Sequence, residues 1–90
     1  MKLNIDKQTL DLLKKHFPKN NGIRLKVIGF GWGGPKFDMV QDEPQRNDII
    51  ETIESINFIV DRDEEYIFNN ASIRYVKSMF GSGFKITQAS

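Results

Sequence analysis

The stretch GFGWGGP at residues 29–35 has the residue types and spacing of a phosphate-binding loop. It gathers four glycines, a proline and the only tryptophan of a 90-residue chain, and Gly29, Gly31 and Gly34 match the spacing G-x-G-x-x-G. Such glycines hold a pyrophosphate when a helix begins at the third glycine. Here the strand-like KFDMVQ follows Pro35 instead. A dinucleotide site is therefore not predicted, and an anion or small molecule on the amides of Gly29 to Gly34 remains an alternative.

Other side chains that could do chemistry stand alone in the sequence. His16 is the only histidine and follows two lysines, as suits the C-terminal end of a helix. The acidic run from Asp61 to Glu65 lacks the spaced oxygen ligands and the glycine turn of a calcium loop. No serine has a histidine nearby in the sequence. These observations predict neither a catalytic residue nor a metal site.

A second acidic group lies in the segment DEPQRND. We interpret Asp42, Glu43 and Asp48 as solvent-exposed turn residues, with a metal site as the alternative.

Composition narrows the function classes. The net charge is +1 and the basic residues are scattered, so a nucleic-acid surface is not predicted. No apolar run could span a bilayer and the first residues resemble no signal region, so a cytoplasmic protein that does not contact membranes is expected. The absence of cysteine removes disulfides, thiol nucleophiles and thiolate-bound metals, so no cofactor is predicted.

Periodicity predicts a mainly β fold with two helices in one domain, residues 1–90. A short strand at Leu3 and Ile5 leads to a helix from about Lys7, capped by Asp6 and ended by Pro18, Asn20, Asn21 and Gly22. Alternation from Ile23 predicts a strand running to Gly29. The remaining elements are strands at Lys36 to Gln41, DIIETI and INFIVD, a capping-box helix over about 62–68 that stops at Asn69 and Asn70, and a hairpin of SIRYVKS and GFKIT.

The order of these segments resembles the HesB/IscA family of A-type iron-sulfur assembly proteins over about residues 23–86. The most specific matches are Asp42-Glu43-Pro44 with Asn47-Asp48, Val60-Asp61, Tyr75-Val76 and Gly81-Ser82-Gly83-Phe84. The resemblance implies a HesB-like domain in which two small mixed sheets form a barrel-like sandwich with the first helix alongside.

The resemblance also implies where cluster ligands would lie. The family has one cysteine in the glycine-rich loop and a Cys-x-Cys beyond the GxGF motif, because soft thiolates suit iron-sulfur centres. Trp32 occupies the place of the loop cysteine. Its neighbours Gly33, Gly34 and Pro35 look most like the HesB-like branch that has cysteine or selenocysteine there. Only Lys85 to Ser90 follow Phe84, so this chain is expected to be a variant without cysteine ligands. Arg74 is a further departure, since the family usually has an acid there.

Two functions follow as hypotheses. One is a non-enzymatic accessory role that binds a second copy or an iron-sulfur assembly protein, with candidate contacts at Gly29, Gly31, Trp32, Gly33, Gly34 and Pro35. The other is the small-molecule or anion module on the same loop. For Trp32 we expect packing onto Pro35 or a neighbouring strand, and the alternative is an exposed anchor at an interface.

Overall fold

The computed structural model describes residues 1–18, 22–79 and 81–89. The elements are β1 (Leu3–Ile5), α1 (Lys7–His16), β2 (Ile23–Gly31), β3 (Gly34–Gln41), β4 (Asp48–Ile53), β5 (Ile56–Asp61), a 3-10 turn (Arg62–Glu64), α2 (Glu65–Phe68), β6 (Ala71–Ser78) and β7 (Gly81–Thr87). The predicted class, mainly β with two helices, is confirmed.

The strands form two separate mixed sheets. One has the order β1-β6-β7 and the other the order β3-β2-β5-β4. The pairs β1–β6 and β2–β5 are parallel, and the remaining pairs are antiparallel. Within the described ranges no pairing joins one sheet to the other, so the two mixed sheets are as expected but do not close into a barrel. As a result, β3 and β7 are both edge strands.

One apolar cluster fills the space between the sheets and α1. Ile23 and Leu25 of β2 are fully buried, as is Phe58 of β5. Leu10 and Leu13 of α1 join the same cluster, because residues three apart lie on one face of a helix. Each fully buried side chain of this size contributes roughly 1.5–3 kcal/mol. The alternation of apolar residues from Ile23 onward therefore correctly identifies the face of β2 that packs into the core.

The first helix begins as predicted. The backbone N–H of Thr9 donates to Asp6 Oδ1 over 2.7 Å, which satisfies one of the unpaired amides of the first turn. The hydrogen bonds from Thr9 lower the pKa of Asp6. At the other end Phe17 N–H donates to Leu13 O over 2.8 Å. Asn20 and Asn21, predicted to help end the helix, lie outside the described residues.

The second helix is shorter than predicted. Asp61 accepts from Asp63 N–H over 2.9 Å rather than from the residue three positions on, so the segment opens as a 3-10 turn. Only Glu65–Phe68 are α-helical. Asn69 is the C-cap, and Asn70 has φ 66°, a left-handed conformation that asparagine tolerates.

Charged side chains join elements that are distant in the sequence. Glu54, in the β4–β5 turn, accepts from Lys7 Nζ over 2.6 Å and from Lys14 Nζ over 3.3 Å, tying that turn to α1. Arg74 donates to Asn4 O over 3.0 Å. The unexpected arginine thus helps to hold β1 beside β6.

Candidate functional site: a glycine hairpin and the cleft beside it

The glycine-rich stretch is the end of a β-hairpin rather than an open loop. The strands predicted to stop at Gly29 and to resume at Lys36 instead run to Gly31 and from Gly34, which pair with each other. Only Trp32 and Gly33 form the turn. Pro35 fits because β3 is an edge strand, where a residue without an N–H is tolerated.

Only one glycine of this hairpin needs its conformational freedom. Gly34 has φ 102°, where residues with a Cβ are strained. Gly29 and Gly33 have ordinary φ values, and a Cβ on either would meet no heavy atom within 4 Å. The hairpin therefore needs a left-handed residue only just after its turn, at Gly34.

Trp32 projects fully into solvent. Its exposed fraction is 108%, and those of Phe30 and Ile28 are 78% and 59%. The expectation that Trp32 packs onto Pro35 or a strand is wrong, since a two-residue turn beyond the core offers its ring no partner. Exposed large side chains grouped in this way mark an interaction surface more often than isolated ones do.

A β-bulge sets the direction of the Phe30 side chain. Val27 pairs with Phe37 and Gly29 with Lys36, so Ile28 is the extra residue in β2. Beyond the bulge Phe30 pairs with Pro35. Because paired residues share a face of the sheet, Phe30 lies on the same face as Phe37. The apolar face of the hairpin thus extends past the core without a cover.

A cleft of about 460 Å³ opens where the two sheets fail to close. Phe37 and Met39 of β3 form one wall, and Phe84 and Ile86 of β7 form the other. This volume lies within the range of roughly 300–1,000 Å³ typical of ligand pockets. No local sequence pattern indicates the cleft, because its walls belong to strands that are more than 40 positions apart, as Met39 and Phe84 are.

Aromatic rings line the cleft, and polar groups stand among them. The His16 ring lies edge-on to Phe84 at 5.6 Å between ring centres, and Tyr75 lies edge-on to Phe84 at 5.3 Å. The Tyr75 and Ser82 hydroxyls are hydrogen-bonded over 2.9 Å. His16, predicted only as the end of a helix, therefore also joins the cleft.

The acidic turn is neutralised by an arginine that sequence reasoning did not single out. Arg24 Nε donates to Asp42 Oδ2 over 2.6 Å. Its Nη1 and Nη2 donate to the two oxygens of Asp48 over 3.0 and 2.6 Å. The Arg24 side chain is only 15% exposed and that of Asp48 only 6%. The interpretation of these acids as solvated residues is therefore wrong for Asp48, because a largely buried guanidinium requires a counter-charge.

These contacts shift the acid–base equilibria of the turn. Hydrogen bonds from Arg24 are the main cause that lowers the pKa of Asp42 and that of Asp48. The Asp48 carboxylate raises the pKa of Arg24. Both carboxylates thus face an internal cation instead of an open metal site. Over the ranges that the structure describes, no group of three or more His, Asp or Glu side chains could hold a metal ion.

Neither described helix is long and apolar enough to cross a membrane. The 90 residues contain no cysteine.

Solved structures share the arrangement of helices and strands. A crystal structure of IscA with the 2Fe-2S cluster has a TM-score of 0.77 at 12% identity, covering 97% of this chain and 82% of that one. A solution NMR structure of a protein from Aquifex aeolicus has a TM-score of 0.71 at 21% identity, with 97% and 91% coverage. A crystal structure of Escherichia coli SufA, involved in biosynthesis of iron-sulfur clusters, has a TM-score of 0.71 at 20% identity, with 96% and 79% coverage. At these identities the likeness concerns the fold.

No curated protein sequence matches the chain. A family model described as iron-sulphur cluster biosynthesis matches residues 1–89. This chain belongs to that family, the HesB/IscA family of iron-sulfur cluster biosynthesis, as a member without cysteine.

Proposed function

We propose that this protein is a non-enzymatic accessory factor of iron-sulfur cluster biosynthesis that binds an assembly protein through the end of its β2–β3 hairpin and carries no cluster itself. In this proposal residues 1–90 act as one domain, since both sheets contribute to a single apolar cluster.

The donor set supports the part of the proposal that concerns the cluster. Iron-sulfur centres are held mainly by thiolates, with histidine as an occasional substitute. This chain has no cysteine and a single histidine, His16. Aspartate and glutamate are harder ligands that suit other metals.

The full exposure of Trp32 is the observation that carries the proposal. By resemblance this residue stands in the position of the family's loop cysteine, so the end of the hairpin has exchanged a metal ligand for a large aromatic side chain. Tryptophan is among the residues that contribute most binding energy at protein interfaces. The hairpin beneath it is held by cross-strand pairing from Ile23↔Gln41 to Gly31↔Gly34, which limits the entropy lost on binding.

The anion alternative receives no comparable support from the geometry. Gly29, Phe30 and Gly31 lie in the β2–β3 ladder, and a strand rather than a helix follows Gly34. The arrangement that concentrates amide dipoles on a phosphate is thus missing from the hairpin.

The proposal is tested by measuring the affinity of purified iron-sulfur assembly proteins for the wild type and for Trp32→Ala. We expect Trp32→Ala to weaken binding about tenfold or more, as loss of a central aromatic anchor does. Tyr66→Ala is the matched control, because Tyr66 is 78% exposed but lies on α2. Equal affinities for the wild type and Trp32→Ala would contradict the proposal.

A further inference from the structure

We infer that the cleft between β3 and β7 binds a small organic cation, in which one aromatic ring is joined by a short chain to an ammonium group. This site goes beyond the proposed function and is independent of it, since Trp32 is not among the described residues that line the cleft. The cleft volume of about 460 Å³ lies in the lower part of the range of roughly 300–1,000 Å³ for ligand pockets. Such a volume suits one ring system better than a macromolecule.

The walls of the cleft suit an aromatic ring. Phe37 and Met39 form one wall, and Phe84 and Ile86 form the other. All four side chains are only partly buried, so a ligand between them removes further apolar surface from water. Tyr75 lies edge-on to Phe84 at 5.3 Å between ring centres. A ligand ring in this cleft therefore gains both apolar burial and edge-to-face contacts.

A negative charge stands at the rim of the cleft. Asp38 lines the cleft and is exposed, and no lysine or arginine of the described ranges forms an ion pair with it. Its Oδ1 accepts from Met39 N–H over 2.9 Å. Because β3 is an edge strand, this contact holds the carboxylate beside the apolar wall. The described lining contains no lysine or arginine, so its charge favours a cation.

Hydroxyl oxygens provide further acceptors. The Tyr75 and Ser82 hydroxyls are hydrogen-bonded to each other over 2.9 Å, and each oxygen still has a lone pair that accepts. An ammonium group has three N–H donors and no acceptor. The faces of aromatic rings also attract an ammonium group. A carboxylate ligand would instead meet the like charge of Asp38.

Charges outside the cleft orient the ligand. Lys15 lines an adjoining recess beside His16 and Tyr75, so the ammonium group is directed away from α1 and toward Asp38. The net charge of the chain is +1, which gives cations no general attraction to the protein. Preference for a cation must therefore come from the cleft itself.

An NMR titration of the isotope-labelled chain with phenethylamine, phenethyl alcohol and phenylacetate tests the inference. These probes share a ring on a short chain and are positive, neutral and negative at neutral pH. Phenethylamine should bind about fivefold more tightly than phenethyl alcohol, as expected of a partly exposed ion pair. Phenylacetate should bind most weakly. The amide signals that shift should centre on Met39, Ser82 and Phe84.

Asp38→Asn tests the charge. It retains an oxygen that accepts from Met39 N–H, so the fold should be kept. Its affinity for phenethylamine should fall about fivefold, to that of phenethyl alcohol, whose own binding should not change. Asp63→Asn is the matched control, because Asp63 is an exposed acid on the 3-10 turn and does not line the cleft.

Ser82→Leu tests the position. Ser82 lies two residues before Phe84 in β7 and so shares its face of the sheet, and the larger side chain should abolish the binding of phenethylamine and phenethyl alcohol alike. Gly83→Val is the matched control. Gly83 pairs with Val76 on the opposite face, and a Cβ there would meet no heavy atom within 4 Å. This variant should bind as the wild type does.

Several results would overturn the inference. These are no saturable shifts with phenethylamine up to about 10 mM, equal affinities for the three probes, tighter binding of phenylacetate, or shifts centred away from the cleft. Unchanged phenethylamine affinity in Asp38→Asn, or in a folded Ser82→Leu, would do the same. If a variant does not fold, the probe comparison and shift map of the wild type still decide. Trp32→Ala should keep the wild-type affinity for phenethylamine, so this site and the proposed function can fail separately.

Discussion

Arg24 and Asp48 form a two-pronged ion pair, with Nη2 to Oδ2 at 2.6 Å and Nη1 to Oδ1 at 3.0 Å. Asp48 Oδ2 also accepts from Gln45 N–H over 2.6 Å. The Asp48 carboxylate therefore closes the DEPQRND turn through Gln45 and joins that turn to β2 through Arg24. An acidic turn suits this fold because its carboxylates neutralise Arg24.

Replacing Asp48 with alanine should destabilise the protein by roughly 3 kcal/mol, because it leaves the Arg24 guanidinium buried beside fewer counter-charges. The free energy of unfolding in urea measures this. Asp11→Ala is the control, since Asp11 pairs with Lys7 at 3.4 Å on an exposed helix face and such pairs contribute little. Similar small losses for the two variants would show that the buried pair does not stabilise the fold.

Acid should destabilise the protein through the same turn. The pKa values of Asp42 and Asp48 are lowered in the folded state, so their stabilising effect is complete above the unfolded value of about 3.9 and is lost as the pH falls through the lower folded values. Urea midpoints should therefore change little from about pH 7 to about pH 5 and should fall steeply below about pH 4. In Asp48→Ala the acid-side slope should be shallower. An unchanged slope in that variant would assign the acid sensitivity to other groups.

This ion pair also shows where sequence reasoning stops. The alternation of Ile23 and Leu25 indicated a half-buried strand, and Asp6 indicated a helix cap, because both patterns depend on residues a few positions apart. Arg24 lies 18 positions from Asp42 and 24 from Asp48. Its partners depend on how the turn after β3 folds back over β2, which no local pattern specifies.

Gly22 should tolerate no side chain. Its carbonyl accepts from Asp42 N–H over 3.0 Å, and a Cβ built on Gly22 would lie 2.8 Å from the backbone oxygen of Asp42. We expect Gly22→Ala to cost about 2 kcal/mol through this clash. Gly29→Ala is the matched control, because its Cβ would meet open space, and it should leave the melting temperature nearly unchanged. If Gly22→Ala left the melting temperature unchanged, the backbone at Gly22 and that at Asp42 could move apart without loss of stability.

Truncating Trp32 should leave the fold intact. A side chain that is 108% exposed has no packing to lose, so Trp32→Ala should change the free energy of unfolding by less than about 0.5 kcal/mol. Ile73→Ala, at a fully buried position, should cost roughly 2–5 kcal/mol in the same assay. A loss of that size for Trp32→Ala would instead show that the ring packs against its own sheet.

The hairpin illustrates a second limit of prediction from sequence. Its glycines and Pro35 indicated a break between two strands, yet the strands pair up to the turn, and the bulge at Ile28 keeps the apolar side of β2 on one face. A bulge depends on how two strands align, so the spacing of apolar residues in β2 alone does not reveal it. The cleft likewise arises from the gap between β3 and β7. The family resemblance implied a barrel-like sandwich and so did not indicate this gap.

Anaerobic reconstitution with iron and sulfide tests the central claim most directly, because that claim is that a member of this family acts through protein contact and carries no cluster. The protein should finish with no stoichiometric iron or acid-labile sulfide and no visible absorption, since it lacks thiolate ligands. An IscA protein treated in parallel serves as the positive control. Stoichiometric iron and sulfide with a visible absorption band in this protein would contradict the account.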